Sequence, residues 1–128
     1  MEQGYLIDSD AAIDFLAGKY DLPGQSFMNK VVNNTPVLSI ISKIEILGFS
    51  CPENVSIILE SFISESVIIP LTDNIVAKTI EIRKKLKVKL PDAIIAATCL
   101  VSDLILITHN INDFKSIPDI VVFDPHTI

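Results

Sequence analysis

Leu6-Ile7-Asp8-Ser9-Asp10 is the stretch on which the fold turns. A short apolar run ends in two acids two residues apart, and a segment with apolar periodicity follows at once. A buried strand that delivers carboxylates to the edge of a sheet has this pattern. The helix after it is expected over Ala11 to Ala17, with Ile13, Phe15 and Leu16 toward the core. Asp10 is its expected N-cap and Gly18 its stop.

Working outward, strand and helix signals alternate to the end of the chain. Asp21-Leu22-Pro23-Gly24 reads as a turn, Ser26 to about Val32 as a helix, and Val37-Leu38 as a short strand. Ile41, Ile44, Ile46 and Leu47 recur at helical spacing within Ser39 to Phe49, where Glu45 is the single acid. Pro52 is expected at the first position of the next helix, whose apolar face is Ile57, Ile58, Leu59, Phe62 and Ile63. Val67 to Leu71 is a β-branched strand, and Thr72 or Asp73 caps a helix to about Leu86. Leu90-Pro91-Asp92 opens a nearly all-apolar helix to about Val101, which belongs at the centre of the fold. Leu104 to Ile107 and Val121 to Phe123 are the remaining strands, and Pro125 is expected to end regular structure. Such alternation predicts a single α/β domain over residues 1–128, with a mostly parallel sheet between two helical layers.

Composition narrows the function classes. The chain has 128 residues, 49% of them hydrophobic, and a mean hydropathy of +0.49, enough for a sizeable core. No apolar run approaches the ~18 residues of a membrane span. Met1-Glu2-Gln3-Gly4 lacks the basic flank of a secretory leader, so a cytoplasmic location is expected. Cys51 and Cys99 are isolated, which suggests neither a zinc site nor a disulfide framework. His109 and His126 stand in no recognisable triad. A net charge of −6 argues against nonspecific nucleic-acid binding. Arg83, Lys84, Lys85, Lys87 and Lys89 nevertheless cluster, and a cation bound among acids would lessen the negative surface.

The acids carry the chemistry. Asp8 sits at the carboxyl end of a strand, where open α/β sheets place their ligand crevice. Glu45 completes a capping box with Ser42; if Ser39 is the true cap, that role lapses and the acid needs a partner or a cation. Asp92 complements a helix N-terminus, but its helix is too apolar for the surface, so it is expected to face a cleft. Asp113 can be a first-turn acid behind Asn112. Three or four converging carboxylates would hold a divalent cation such as Mg²⁺, and phosphodiester hydrolysis needs no Ser, His or Cys beside it.

The set, in this order, resembles a PIN domain of the VapC type, the toxin of bacterial and archaeal toxin–antitoxin pairs. The resemblance spans the whole chain. It is most specific in Pro91-Asp92-Ala93 followed, after a strand, by Thr108-His109-Asn110-Ile111-Asn112-Asp113-Phe114. It implies an endoribonuclease dependent on Mg²⁺ or Mn²⁺, with Asp8, Glu45 and Asp92 as the main acids and metal ligands. Asp113 or Asn110 would stand near the fourth position, with Ser9, Asp10 and Thr108 supporting the site. It also implies a homodimer, a cognate antitoxin, and structured RNA, often tRNA, as substrate. The Arg83–Lys89 cluster is the candidate RNA-backbone patch, although cations at a helix C-terminus are favoured in any case. His109 stands where the family often has Arg, which weakens a phosphate contact at neutral pH. Two other readings compete: a silent module of the same fold that only binds antitoxin, and an Asp-nucleophile phosphatase. The phosphatase lacks its expected residues after Asp10, and the intact acid set opposes the silent module.

Overall fold

The computed structural model describes residues 3–128. Met1 and Glu2, the start of the stretch read for a leader, lie outside the described residues. The strands are β1 (Gly4–Ile7), β2 (Val37–Ser39), β3 (Val67–Ile69), β4 (Leu104–Ile107) and β5 (Val122–Phe123). The helices are α1 (Ser9–Leu16), α2 (Leu22–Asn33), α3 (Ile40–Leu47), α4 (Glu53–Ser64), α5 (Asp73–Lys85) and α6 (Leu90–Ser102). β1, β4 and β5 form one parallel sheet in the order β1-β4-β5, and β2 pairs in parallel with β3. β2 packs alongside β1, joining the two pieces into one layer.

Period-two alternation in the strands divides the core. Leu6 and Leu106 point to one face, where they meet Ile75 and Ile82 of α5 and the apolar body of α6. Ile7 and Ile107 point to the other face, where they meet Ala11, Ala12, Met28, Ile46, Leu59 and Phe62. Helices therefore cover both faces of a parallel sheet, the expected three-layer α/β/α architecture. As its composition requires, α6 is central, with Ala93 through Cys99 buried.

Local starts differ from expectation in instructive places. α1 begins at Ser9 because Asp8, in extended backbone, accepts the Ser9 N–H and takes the cap expected of Asp10. The helix then buries Ala11 and Ala12, leaving Ile13, Phe15 and Leu16 only half-buried. α2 begins at Leu22 rather than Ser26, because Pro23 in the first turn already has helical φ and needs no N–H. Pro52 is the N-cap of α4, not its first residue. Pro125 does not end regular structure: Asp124 accepts the His126 N–H and starts a 3-10 turn over Pro125–Thr127. Ile44, Leu47, Ile57 and Ile58, expected in the core, are exposed on α3 and α4. Among the described residues, no helix is long and apolar enough to cross a membrane.

Candidate active site

Parallel pairing of β1 with β4 builds the centre of the site. Ile7 is the register partner of Ile107, and the next residue on each strand leaves the sheet at the same edge. The Asp8 N–H donates to the Ile107 carbonyl at 2.9 Å. Thr108, fully buried, donates its hydroxyl to Asp8 Oδ2 at 2.9 Å and lies 3.3 Å from both carboxylate oxygens of Asp10. The Asp8 carboxylate also accepts the Ser9 N–H at 2.8 Å through Oδ1. Asp10, freed from capping, accepts the His109 N–H at 3.1 Å and so pins the start of the loop after β4.

Burial leaves these carboxylates short of solvation. Asp8 is pushed up to about 7, first by burial and then by the charge of Asp10; Glu45 adds to the rise, while the Thr108 and Ser9 bonds offset part of it. Asp10 is raised too, mainly by burial, with the N–H groups of Ala11 and His109 and the Thr108 hydroxyl opposing.

α3 brings the third acid. The Ser39 hydroxyl accepts the Ser42 N–H at 3.1 Å and is the cap of the helix. Glu45 therefore lies beyond the first turn and has no capping role. It is exposed, and Ser9 Oγ donates to Glu45 Oε1 at 3.1 Å. α6 supplies Asp92 from its first turn, half-buried. Burial raises the Asp92 carboxyl, the charges of Asp113 and Glu45 raise it further, and Lys89 opposes them. Glu45 thus bears on both Asp8 and Asp92. Asp113 joins from a 3-10 turn, Ile111–Asp113, and Asn110 is tied in by its N–H to Thr108 Oγ1 at 3.1 Å.

The basic cluster divides. Lys89 stands beside the acids. Lys85 is 3.7 Å from Glu81, and an Arg83 guanidinium N–H donates to the Val88 carbonyl at 3.4 Å. Lys84 and Lys87 are exposed.

Sequence reasoning named His109 as a candidate RNA contact but missed the group it joins. His109 Nδ1 lies 2.9 Å from Asp124 Oδ2, and His126 Nε2 lies 2.9 Å from Asp14 Oδ2. Asp124 holds the His109 imidazole above its usual range, chiefly through that hydrogen bond. Asp124-Pro125-His126 carries a turn signal in sequence, but nothing local announces its meeting with His109 or Asp14.

Oxygen donors dominate the acid cluster, and like charges crowd there with Lys89 as the cation described above. A hard divalent cation fits such a set, because it relieves the repulsion and accepts carboxylates with water. Glu45, Asn110 and Asp113 are exposed, so the cluster lines an open face. An open face admits a polymer, whereas small ligands are usually enclosed.

The family model of the PIN domain matches residues 5–120. No curated protein matches the sequence. A toxin-antitoxin complex from Klebsiella pneumoniae contains a chain 27% identical to this one, with a TM-score of 0.73, 95% of this chain and 98% of that one covered. DNA-bound VapBC from Salmonella typhimurium contains one at 21% identity and a TM-score of 0.81, covering 97% and 99%. VapBC-1 from nontypeable Haemophilus influenzae gives 21% identity and a TM-score of 0.77, covering 94% and 97%. At 21% identity the likeness is one of fold.

Proposed function

The chain belongs to the PIN domain family, and from that premise we propose that it is a metal-dependent endoribonuclease, the toxin of a toxin–antitoxin pair. One observation supports the reading: Ser9 links two of the acids, its N–H bonding Asp8 and its hydroxyl bonding Glu45, and the charge of Glu45 reaches Asp92. A buried acid such as Asp8, raised by its surroundings, is costly for a fold and is characteristic of functional sites.

Asp8, Asp92 and Glu45 would hold Mg²⁺ or Mn²⁺. Such a cation, when bound, supplies charge neutralisation at the scissile phosphate and makes water a better nucleophile. The chain's own groups do the rest. Thr108 and the Ser9 N–H fix both oxygens of Asp8, so the carboxylate is oriented before any ligand arrives. Ser9 holds Glu45 Oε1 and leaves Oε2 to meet the cation or orient the attacking water, whose proton passes to solvent. The P–O bond to the leaving oxygen breaks as the new P–O bond forms in line, and the leaving oxygen takes up a proton from solvent at the open face. Asp113 is favoured over Asn110 for the fourth position, because its charge already bears on Asp92. Lys89 is the best placed of the basic cluster to meet the RNA backbone, with His109 beside the same face. The substrate class is structured RNA, tRNA included.

Partners enter by the same proposal. Ile44, Leu47, Phe49, Ile57 and Ile58 are each exposed on or beside α3 and α4, two helices in contact. An apolar surface of that kind supports a protein partner, here a cognate antitoxin or the second subunit of a homodimer.

Purified protein should cleave RNA with Mn²⁺ or Mg²⁺, stop in EDTA, and recover on adding Mn²⁺. Sequencing of RNA ends after induction should show few sites, absent with Asp8→Asn. Growth arrest of equal strength by wild type and Asp8→Asn would sink the catalytic assignment and leave an interaction module.

A further inference from the structure

A second donor set stands beside the acids but shares none of the proposed ligands Asp8, Glu45 and Asp92. One ligand atom each from His109, Asp124 and His126 can be chosen so that all three lie within 4.8 Å of one another. Two imidazole nitrogens and one carboxylate oxygen differ in kind from the all-oxygen set of the acid cluster. Imidazole selects borderline cations such as Zn²⁺, Co²⁺ and Ni²⁺, while Mg²⁺ prefers oxygen and retains its water. We propose that His109, Asp124 and His126 form a binding site for a zinc-class divalent cation, separate from the acidic site.

The surroundings are those of a supported metal site. Asp124 is buried at 5% exposure, and its Oδ1 is fixed by the His126 N–H at 2.9 Å, which leaves Oδ2 toward His109. Asp14 Oδ2, at 2.9 Å from His126 Nε2, occupies that nitrogen and leaves Nδ1 to coordinate. A ligating histidine usually has its other nitrogen held by such a carboxylate, which sets ring and tautomer. Tyr20 stacks on His126 with ring centroids 4.1 Å apart, fixing the plane. His109 is the adjustable member, its side chain 59% exposed. Nitrogen and oxygen ligands about 2.0–2.2 Å from a zinc ion stand roughly 3.4 Å apart in a tetrahedron, so a modest turn of this exposed ring closes the set. Three protein ligands leave the fourth place to water.

The site joins two distant pieces of chain. His109 opens the loop after β4 and its N–H holds Asp10; His126 lies in the C-terminal 3-10 turn. A bound cation would fasten that turn to the loop that carries the acid site's hydrogen bonds.

The test is titration of the full chain, without any polyhistidine tag, by Co²⁺ and then Zn²⁺ in excess Mg²⁺. Binding is read from the visible absorption of Co²⁺ and from the histidine ring resonances. One ion per chain should bind, Zn²⁺ should displace Co²⁺, and His109→Ala and His126→Gln should each weaken binding at least ~10-fold. Asp8→Asn should leave it unchanged. His109→Ala should keep the wild-type circular dichroism spectrum and a cooperative melt in metal-free buffer, even if its midpoint falls with the loss of the Asp124 bond, so its loss of binding cannot be unfolding. Equal binding by wild type and His109→Ala, loss in Asp8→Asn, or no binding in wild type would each overturn the proposal.

Discussion

Thr108 Oγ1 donates to Asp8 Oδ2 at 2.9 Å although the two residues stand 100 positions apart. The register of β1 against β4 makes this contact unavoidable, because it places Ile7 opposite Ile107. The hydroxyl is one of two groups that hold the Asp8 carboxyl down against burial. Thr108→Val keeps the shape and removes the bond. Asp8 should then be harder to ionise, and Mn²⁺ affinity should fall by about 10–100-fold, partly recovered at higher pH. A titration with unchanged affinity and pH profile would remove Thr108 from the site's support.

The raised Asp8 carboxyl makes a pH prediction for the metal-free chain. Unfolded, an Asp ionises near 4; folded, Asp8 does so at about 7. Between those values the native state binds the extra proton, so stability is greatest below about 4 on this account and falls as pH rises toward 7. Asp10 and Asp92, both raised, act in the same direction. The full loss is about 4 kcal/mol for Asp8, of which about 3 kcal/mol falls between pH 5 and pH 8. Urea unfolding in EDTA at pH 5 and pH 8 should show it, and millimolar Mg²⁺ should restore more stability at pH 8 than at pH 5. A flat profile in EDTA would mean that Asp8 stays ionised at little cost.

Asp8→Asn separates activity from stability. RNA cleavage should vanish, while the metal-free melting temperature at pH 8 should rise by about 3–8 °C, because the costly charge is gone. A variant that is inactive and also less stable at pH 8 would contradict the account of Asp8 as a strained ligand.

Glu45 and Ser39 offer a paired contrast on one helix. Glu45 is exposed, so Glu45→Ala should change stability by no more than ~0.5 kcal/mol yet cut cleavage at least tenfold. Ser39 is fully buried and caps α3, so Ser39→Ala should cost about 1 kcal/mol and affect cleavage mainly by loosening the helix under Glu45. Chemical denaturation beside a cleavage assay reads both. Cleavage by Glu45→Ala at the wild-type rate would exclude it from the machinery.

Gly24 is required by close approach. A Cβ there would stand 2.5 Å from the Pro125 carbonyl oxygen, and backbone cannot yield as a side-chain tip does. Gly24→Ala should cost roughly 1–3 kcal/mol and push the Pro125–Thr127 turn away, loosening the stack of His126 on Tyr20. A shift of the His126 ring resonances, together with a lower denaturation midpoint, would report both effects.

The sequence by itself determined the order of elements, the central α6 and the parallel sheet, because hydrophobic period and β-branched runs are local properties. It also singled out Asp8, Glu45 and Asp92, through the ordered motifs that resemble a PIN domain. Tertiary structure decided what local chemistry left open. Whether Asp8 or Asp10 caps α1 depended on Thr108 and His109, which claim Asp10 from the far end of the chain. Whether Ser39 or Ser42 caps α3 depended on where β2 ends. The meeting of His109 and Asp14 with Asp124 and His126 was invisible, since the local Asp124–His126 turn forms without either of them. Strand register brought Thr108 to Asp8, and register is set by pairing across the sheet, which a one-dimensional pattern does not contain.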